Sequence, residues 1–417
     1  MSDFSLFSDI PVVGHDNDKL EFDRYLCPLL SKLTDPNAQT PFTIGIFGQW
    51  GSGKSSLLTL LDKKLESDYN DKFLKVHFNP WVYRNEKNIL VPLLHTLQDT
   101  LDNDPRNRFV ESAKKIGSIL LNLGADILLK SFTANTISME NLENVEKKYL
   151  EQTSKVKSEV RNLKNTLQSE VNTIASKDKR IIFFIDDLDR CAPDQIIDLL
   201  ESLKLFFDLE HIFIILAIDK EVIDRGIEVK YGEFNFAAGR EAAIGAEYLE
   251  KMVQLPLQLF PLLHSQVRDF IESFKPPEII KDQLDLLTTI MTPNPRKIKR
   301  ILNILIIMQK IVSTQALKEL KIDIIARLVV IQVQSSELYA DVVKQPKLLV
   351  TLEAVYTKEK KLDNEDDFFA LGPLAESIIK LCDKYYLPEG YLSKVFVGSP
   401  FIKVEDKLSI YLSMLVG

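Results

Sequence analysis

Five β-favouring residues, TIGIF at positions 43–47, pass without a break into GQWGSGKS and then into a helical pattern. Nothing else in the chain limits its fold as tightly. Gly48, four residues, then Gly53, Lys54 and Ser55 form a strand–loop–helix spacing. Glycines there let the backbone curl until successive N–H groups face inward as an anion nest. The helix that starts at Ser55 adds the positive end of its dipole. Lys54 is then placed to bridge the β- and γ-phosphates of a nucleoside triphosphate, and the Ser55 hydroxyl to ligate Mg²⁺. The phosphate-binding set read from the loop is Gly48, Trp50, Gly51, Ser52, Gly53, Lys54, Ser55 and Ser56. Trp50 either covers the phosphates or packs on an insertion further along the chain.

Such a loop needs a second anchor for its metal. IIFFI (181–185) runs directly into Asp186 and Asp187, which puts the first carboxylate at the carboxyl end of a buried strand, where the ligands of open sheets bind. Asp186 is assigned to the Mg²⁺ shell, through water, and Asp187 to orienting or deprotonating the attacking water, with Asp189 as its fallback. LKVHF (74–78), ended by Asn79-Pro80, and IFIILAI (212–218), ended by Asp219, are further strands. Unbroken apolar strands separated by helices belong to a mostly parallel sheet covered on both faces. Asp219 is placed either to sense the γ-phosphate or to cap the next helix.

The rest of the chain reads as helix. Leu20 to Leu33 carry apolar residues at largely helical spacing, and Leu20, Phe22 and Tyr25 either line a base pocket or join the core. Trp81 is expected in the core. Between 105 and 177 lies an insertion. Its apolar part, 116–129, has 14 residues and carries Asn122 and Asp126, short of the ~20 that a span needs. Its charged part, 139–175, repeats apolar residues from Leu142 to Ile174 at helical steps, as in a long helix or hairpin packed on its own domain or in a coiled coil. From 261 onward the pattern is helical. NPRKIKRILNIL (294–305) is a proline-started helix whose Arg296, Lys297, Lys299 and Arg300 sit against the dipole. A γ-phosphate contact from Arg296 would explain that cost, and a solvated basic face is the alternative. Arg190 and Arg225 are either charge stabilisers or salt-bridge partners.

Bulk numbers bound the function. A chain of 417 residues implies two domains or one with a large insertion. A formal charge of -8 argues against a surface for non-specific nucleic acid, and a motor on DNA or RNA would need a basic channel. Three separated cysteines, Cys27, Cys191 and Cys382, give neither a disulfide framework nor a zinc site. With an N-terminus that lacks a basic start and an apolar run, a cytoplasmic setting is expected. No guanine-reading [NT]KxD motif is suitably placed, which favours ATP.

Taken in order, PFTIGIFGQWGSGKSSLL, VHFNPWVY, IDDLDRC, FIILAIDKEVI, YLEKMVQLPLQL and NPRKIKR resemble the KAP family of P-loop NTPases over roughly residues 10–310. The resemblance implies a three-layer α/β sandwich of the ASCE type, in which the strand 212–218 lies between the loop strand and the acidic strand. It supports Asp187 as the acid near the water, and it maps the phosphate, metal and arginine roles onto Lys54, Ser55, Asp186 and Arg296. Many relatives carry two membrane helices in the interval of this chain's insertion. The insertion here is short in apolar residues and otherwise charged, so membrane association is not expected to follow from the resemblance.

The domains expected are a core with helical insertion at 1–260, a helical lid at 261–312 and a C-terminal helical domain at 313–417. The function expected is Mg²⁺-dependent ATP binding and hydrolysis as a conformational or assembly switch, with a protein partner or self-association and, by resemblance, a setting in bacterial defence against phage. A nucleotide-dependent scaffold with little turnover, recruiting its partner through 139–175, is the alternative.

Overall fold

A computed structural model describes residues 6–10, 18–86, 89–100, most of 161–173, 179–203, 208–231, 249–312, 320–359, 384–385 and 390–415. They fall into two compact units, Pro11–Phe260 and a second made of Met1–Ile10 with Pro261–Gly417.

In the first unit the elements follow as α1 (Asp23–Thr34), β1 (Phe42–Phe47), α2 (Lys54–Tyr69), β2 (Phe73–Phe78), α3 (Leu90–Thr100), β3 (Arg180–Ile185), α4 (Pro193–Leu203), β4 (Ile212–Ile218), α5 (Lys220–Tyr231) and β5 (Leu255–Gln258). The strands form one sheet in the order β2-β3-β4-β1-β5, and every pairing is parallel. β4 therefore lies between the loop strand and the acidic strand, as the resemblance implies.

Why these runs are apolar throughout is visible in the core. Alternate residues of a strand face opposite ways. On β3, Ile181, Phe183 and Ile185 join a cluster with Ile196, Ile197 and Leu200 of α4 and Ile223 and Ile227 of α5. Their neighbours Ile182 and Phe184 join the other cluster, with Leu26, Leu29 and Leu33 of α1 and Leu57, Leu61 and Leu65 of α2. Both faces are covered, giving a three-layer α/β sandwich.

β5 is an element the apolar pattern did not indicate. It is four residues long and holds Pro256 opposite Gly45; a proline without an N–H is tolerated at the sheet edge, which is where β5 sits. Of the charged insertion, residues within 161–173 are helical, and Leu167 and Val171 are buried in the α4-side cluster. That end packs on its own unit; 105–160 lie outside the described residues.

The second unit contains α6 (His264–Glu272), α7 (Glu278–Lys281), α8 (Leu284–Ile290), α9 (Pro295–Val312), α10 (Ile322–Gln334), α11 (Ser336–Lys344), α12 (Lys347–Glu359), α13 (Tyr391–Val395) and α14 (Leu408–Leu415). α10 is buried nearly all round, and Arg327 at its centre has no exposure at all. No helix among the described residues is long and apolar enough to cross a membrane. The apolar stretch 116–129 lies outside them.

Candidate nucleotide site

Parallel register gathers the chemistry at one edge. Phe47 pairs with Ile218, and Phe78 with Ile185, so Gly48, Asp219, Asn79 and Asp186 all leave the sheet at its carboxyl end. The loop from Gly48 turns through Gly51 (φ +85°) and Gly53 (φ +103°). At Gly53 glycine is required twice over, since a Cβ would also meet the Phe22 ring at 2.6 Å. At Gly48 a Cβ would strike Ser52 Oγ at 2.6 Å. That hydroxyl is buried and has no hydrogen-bond partner among the described residues, an orphan suited to a phosphate oxygen.

Lys54 and Ser56 are buried, and Ser55 is half-buried. The Lys54 ammonium donates to the Gly48 carbonyl at 2.9 Å and to the Gln49 carbonyl at 3.4 Å. Its charge partner is Asp189, at 2.9 Å, both side chains under 10% exposed. Ser55 is brought beside Asp186, whose Oδ1 accepts the Asp187 amide at 2.8 Å. Burial pushes the Asp186 carboxyl above its ordinary value; the neighbouring Ser55 hydroxyl and the Asp187 amide oppose it, and the charges of Asp187 and Asp189 add to it. A hydroxyl and a carboxylate on adjoining elements are hard oxygen donors, the set that Mg²⁺ takes alongside water and substrate phosphates.

Asp187 sits just beyond, in the left-handed region at φ +59°. Both of its oxygens are held: Oδ2 by the Asn79 amide at 2.8 Å, Oδ1 by Arg190 Nε at 2.7 Å. Asn79 went unread in the sequence, although an Asn-Pro-Trp closing a strand at the ligand edge was a usable signal. Arg190 thus proves to be a salt-bridge partner here, as does Arg225, on Glu221 at 3.1 Å. Asp219 Oδ1 accepts from the Glu221 amide at 3.1 Å, the capping arrangement. Cys191 beside the acids is buried, and burial, with Asp187 and Asp189, pushes its thiol up to about 11; such a thiol is inert.

Trp50 is 63% exposed. Trp81 is not the core residue expected: it is 38% exposed, with Arg84 at 4.8 Å and Arg190 at 5.7 Å over its ring. Its place on a turn beyond β2 puts the ring outside the sheet layers. Phe22 is core, while Tyr25 is half-buried and its hydroxyl accepts from the Phe260 amide at 3.4 Å. Arg296 belongs to the second unit, where it pairs with Asp9 at 2.5 Å. There Lys299 donates to the Ser8 carbonyl at 3.1 Å, and Asn303 bonds both backbone groups of Phe7. Two of the four cations that oppose the α9 dipole, Arg296 and Lys299, therefore hold the N-terminal segment.

A family profile described as "KAP family P-loop domain" matches residues 22–312. The chain belongs to the KAP family. With that membership comes a nucleotide-binding P-loop core. An uncharacterized protein of Methanocaldococcus jannaschii is 26% identical over 168 residues, 33% of this KAP chain and 87% of its own length. The phage T7 exclusion protein of Escherichia coli is 24% identical over 52% of this chain, but only 30% of that protein is spanned. Rat kinase D-interacting substrate of 220 kDa is 40% identical over 52 residues, 12% of this chain and 3% of its own. Among solved structures, Cdc6p of Pyrobaculum aerophilum aligns over 99% of this chain and 98% of its own, with a TM-score of 0.37 and 14% identity.

Proposed function

We propose that this KAP domain binds ATP with Mg²⁺ on the 48–56 loop and hydrolyses it, and that the cycle works as a conformational or assembly switch. The observation that carries the reading is the meeting of Ser55 with Asp186 beside a buried Lys54. Lys54 takes the β- and γ-phosphates, and the loop amides of Gly51 to Ser56, with the Ser52 hydroxyl, take the remaining oxygens. Ser55, and Asp186 through water, would hold the Mg²⁺, which would supply charge neutralisation at the phosphates. Asp187 orients the attacking water and accepts its proton. Residues 261–312 are assigned to a lid and 313–417 to a further domain; the γ-phosphate role of Arg296 rests on its sequence alone, and in the structure Asp9 holds its guanidinium.

Calorimetry with Mg²⁺-ATP, paired with phosphate release, tests the reading. Wild type binds and releases phosphate; Lys54→Ala loses binding; Asp187→Asn binds but releases about 10²-fold more slowly or worse. No heat with any purine triphosphate ends the proposal. Binding by wild type and Asp187→Asn alike, with release from neither, leaves a nucleotide-dependent scaffold.

The setting we propose, cytoplasmic exclusion of phage with a protein partner or self-association, is supported by the relation to the phage T7 exclusion protein. Plaque counts on expressing cells should fall, and fall less with Lys54→Ala; unaltered counts remove this part.

A further inference from the structure

We propose that Asn79 is a positioning residue for the Asp187 carboxylate, and that the turn from Asn79 to Arg84 serves to hold that acid. The inference rests on Asp187 as the group that orients the attacking water. Asn79 Oδ1 accepts the Trp81 amide at 3.1 Å. That bond decides which end of the side-chain amide faces the acid, so Nδ2 donates to Asp187 Oδ2 at 2.8 Å. Pro80 between them has no N–H to compete and a ring that restricts its own φ.

Arg190, on the other oxygen at 2.7 Å, lies over the same Trp81 ring that Arg84 covers. Both partners of Asp187 thus refer to one turn. The backbone of Asp187 is in the left-handed region, which aspartate adopts more readily than most residues with a Cβ. A carboxylate offers about four lone-pair sites. One partner on each oxygen leaves a second site on each for water. The acid is aimed and still able to act.

Capping alone does not need asparagine. Asp or Ser at 79 would accept the Trp81 amide equally well, but neither an aspartate nor a short hydroxyl already bonded there supplies the amide donor to Asp187. Asn79→Ser therefore keeps the turn and removes the hold, while Asn79→Asp keeps the turn and sets a second carboxylate against Asp187 in place of the donor. In the full chain with Mg²⁺-ATP, each should lower kcat by about 10- to 100-fold, with KM and calorimetric affinity within about threefold of wild type. In an Asp187→Asn background neither should lower kcat further.

Unchanged or raised kcat in both variants overturns the inference, as does a loss that persists undiminished in the Asp187→Asn background. An Asp187→Asn chain that turns over at the wild-type rate sinks the water-orienting role and the inference with it. A crippled Asp187→Asn beside a normal Asn79→Ser sinks the inference alone.

Discussion

Lys54 has a charge partner within the chain. Its ammonium pairs with Asp189 at 2.9 Å in a place where both side chains are buried, and a triphosphate on the loop would compete with that carboxylate. Removing one member of a buried pair leaves the other charge uncompensated, at a cost of about 3–5 kcal/mol. Asp189→Asn should therefore melt at a lower temperature than wild type without nucleotide, yet bind Mg²⁺-ATP about tenfold more tightly, because the phosphates no longer compete. Calorimetry and a melting curve check this, and an unchanged midpoint with unchanged affinity would show the pair to be immaterial. The sequence made Lys54, Ser55 and Asp186 legible, since a strand end and a helix start fix where those side chains begin. It named Asp187 with Asp189 as its fallback, and did not reveal their partners. Past Ile185 the chain enters a left-handed residue and a 3-10 turn at Leu188–Arg190, so strand periodicity no longer tells which way a side chain points.

Among the elements, α10 carries the sharpest case of a charge the pattern hid. Arg327 lies in the apolar run IIARLVV and is fully buried. It pairs with Asp323 at 3.6 Å, stacks on Phe401 at 4.1 Å and donates to the carbonyls of Val395 and Ser399. Glu353 of α12, also buried, accepts the Phe401 and Ile402 amides at 2.7 and 3.3 Å. Two helices and the 395–402 segment share this polar centre. Arg327→Leu strands two carbonyls and the carboxylates, so it should cost about 3–5 kcal/mol and lower the second unit's denaturation midpoint. A circular-dichroism denaturation curve within 0.5 kcal/mol of wild type would contradict that. The strands tell the opposite story about legibility. β1, β3 and β4 were readable because burial on both faces leaves no room for polar residues. β5 was not, because four residues with a proline carry too little pattern to be read without the strand they pair with.

At the scale of the whole molecule the two units differ in their probes. The chain's two tryptophans, Trp50 and Trp81, both lie in Pro11–Phe260, so tryptophan fluorescence reports the nucleotide unit. Mg²⁺-ATP at about 100 times its dissociation constant should stabilise that unit by about 2.7 kcal/mol. The fluorescence melting midpoint should rise by several degrees in wild type and stay put in Lys54→Ala; equal shifts in both would mean the ligand acts elsewhere. By itself the amino-acid sequence determined the sandwich, the loop with its lysine and serine, the acid that ends β3 and the family, because each rests on local spacing: a strand, a glycine turn, a helix, an acid after an apolar run. Only the tertiary structure decided that Asn79 and Arg190 grip Asp187, that Asp189 neutralises Lys54, and that the basic start of α9 holds residues 8 and 9. Those pairings join side chains from separate strands, turns and helices. Hydrogen bonds and ion pairs depend on distances of a few ångströms that parallel register and close packing create, and spacing along the chain does not record them.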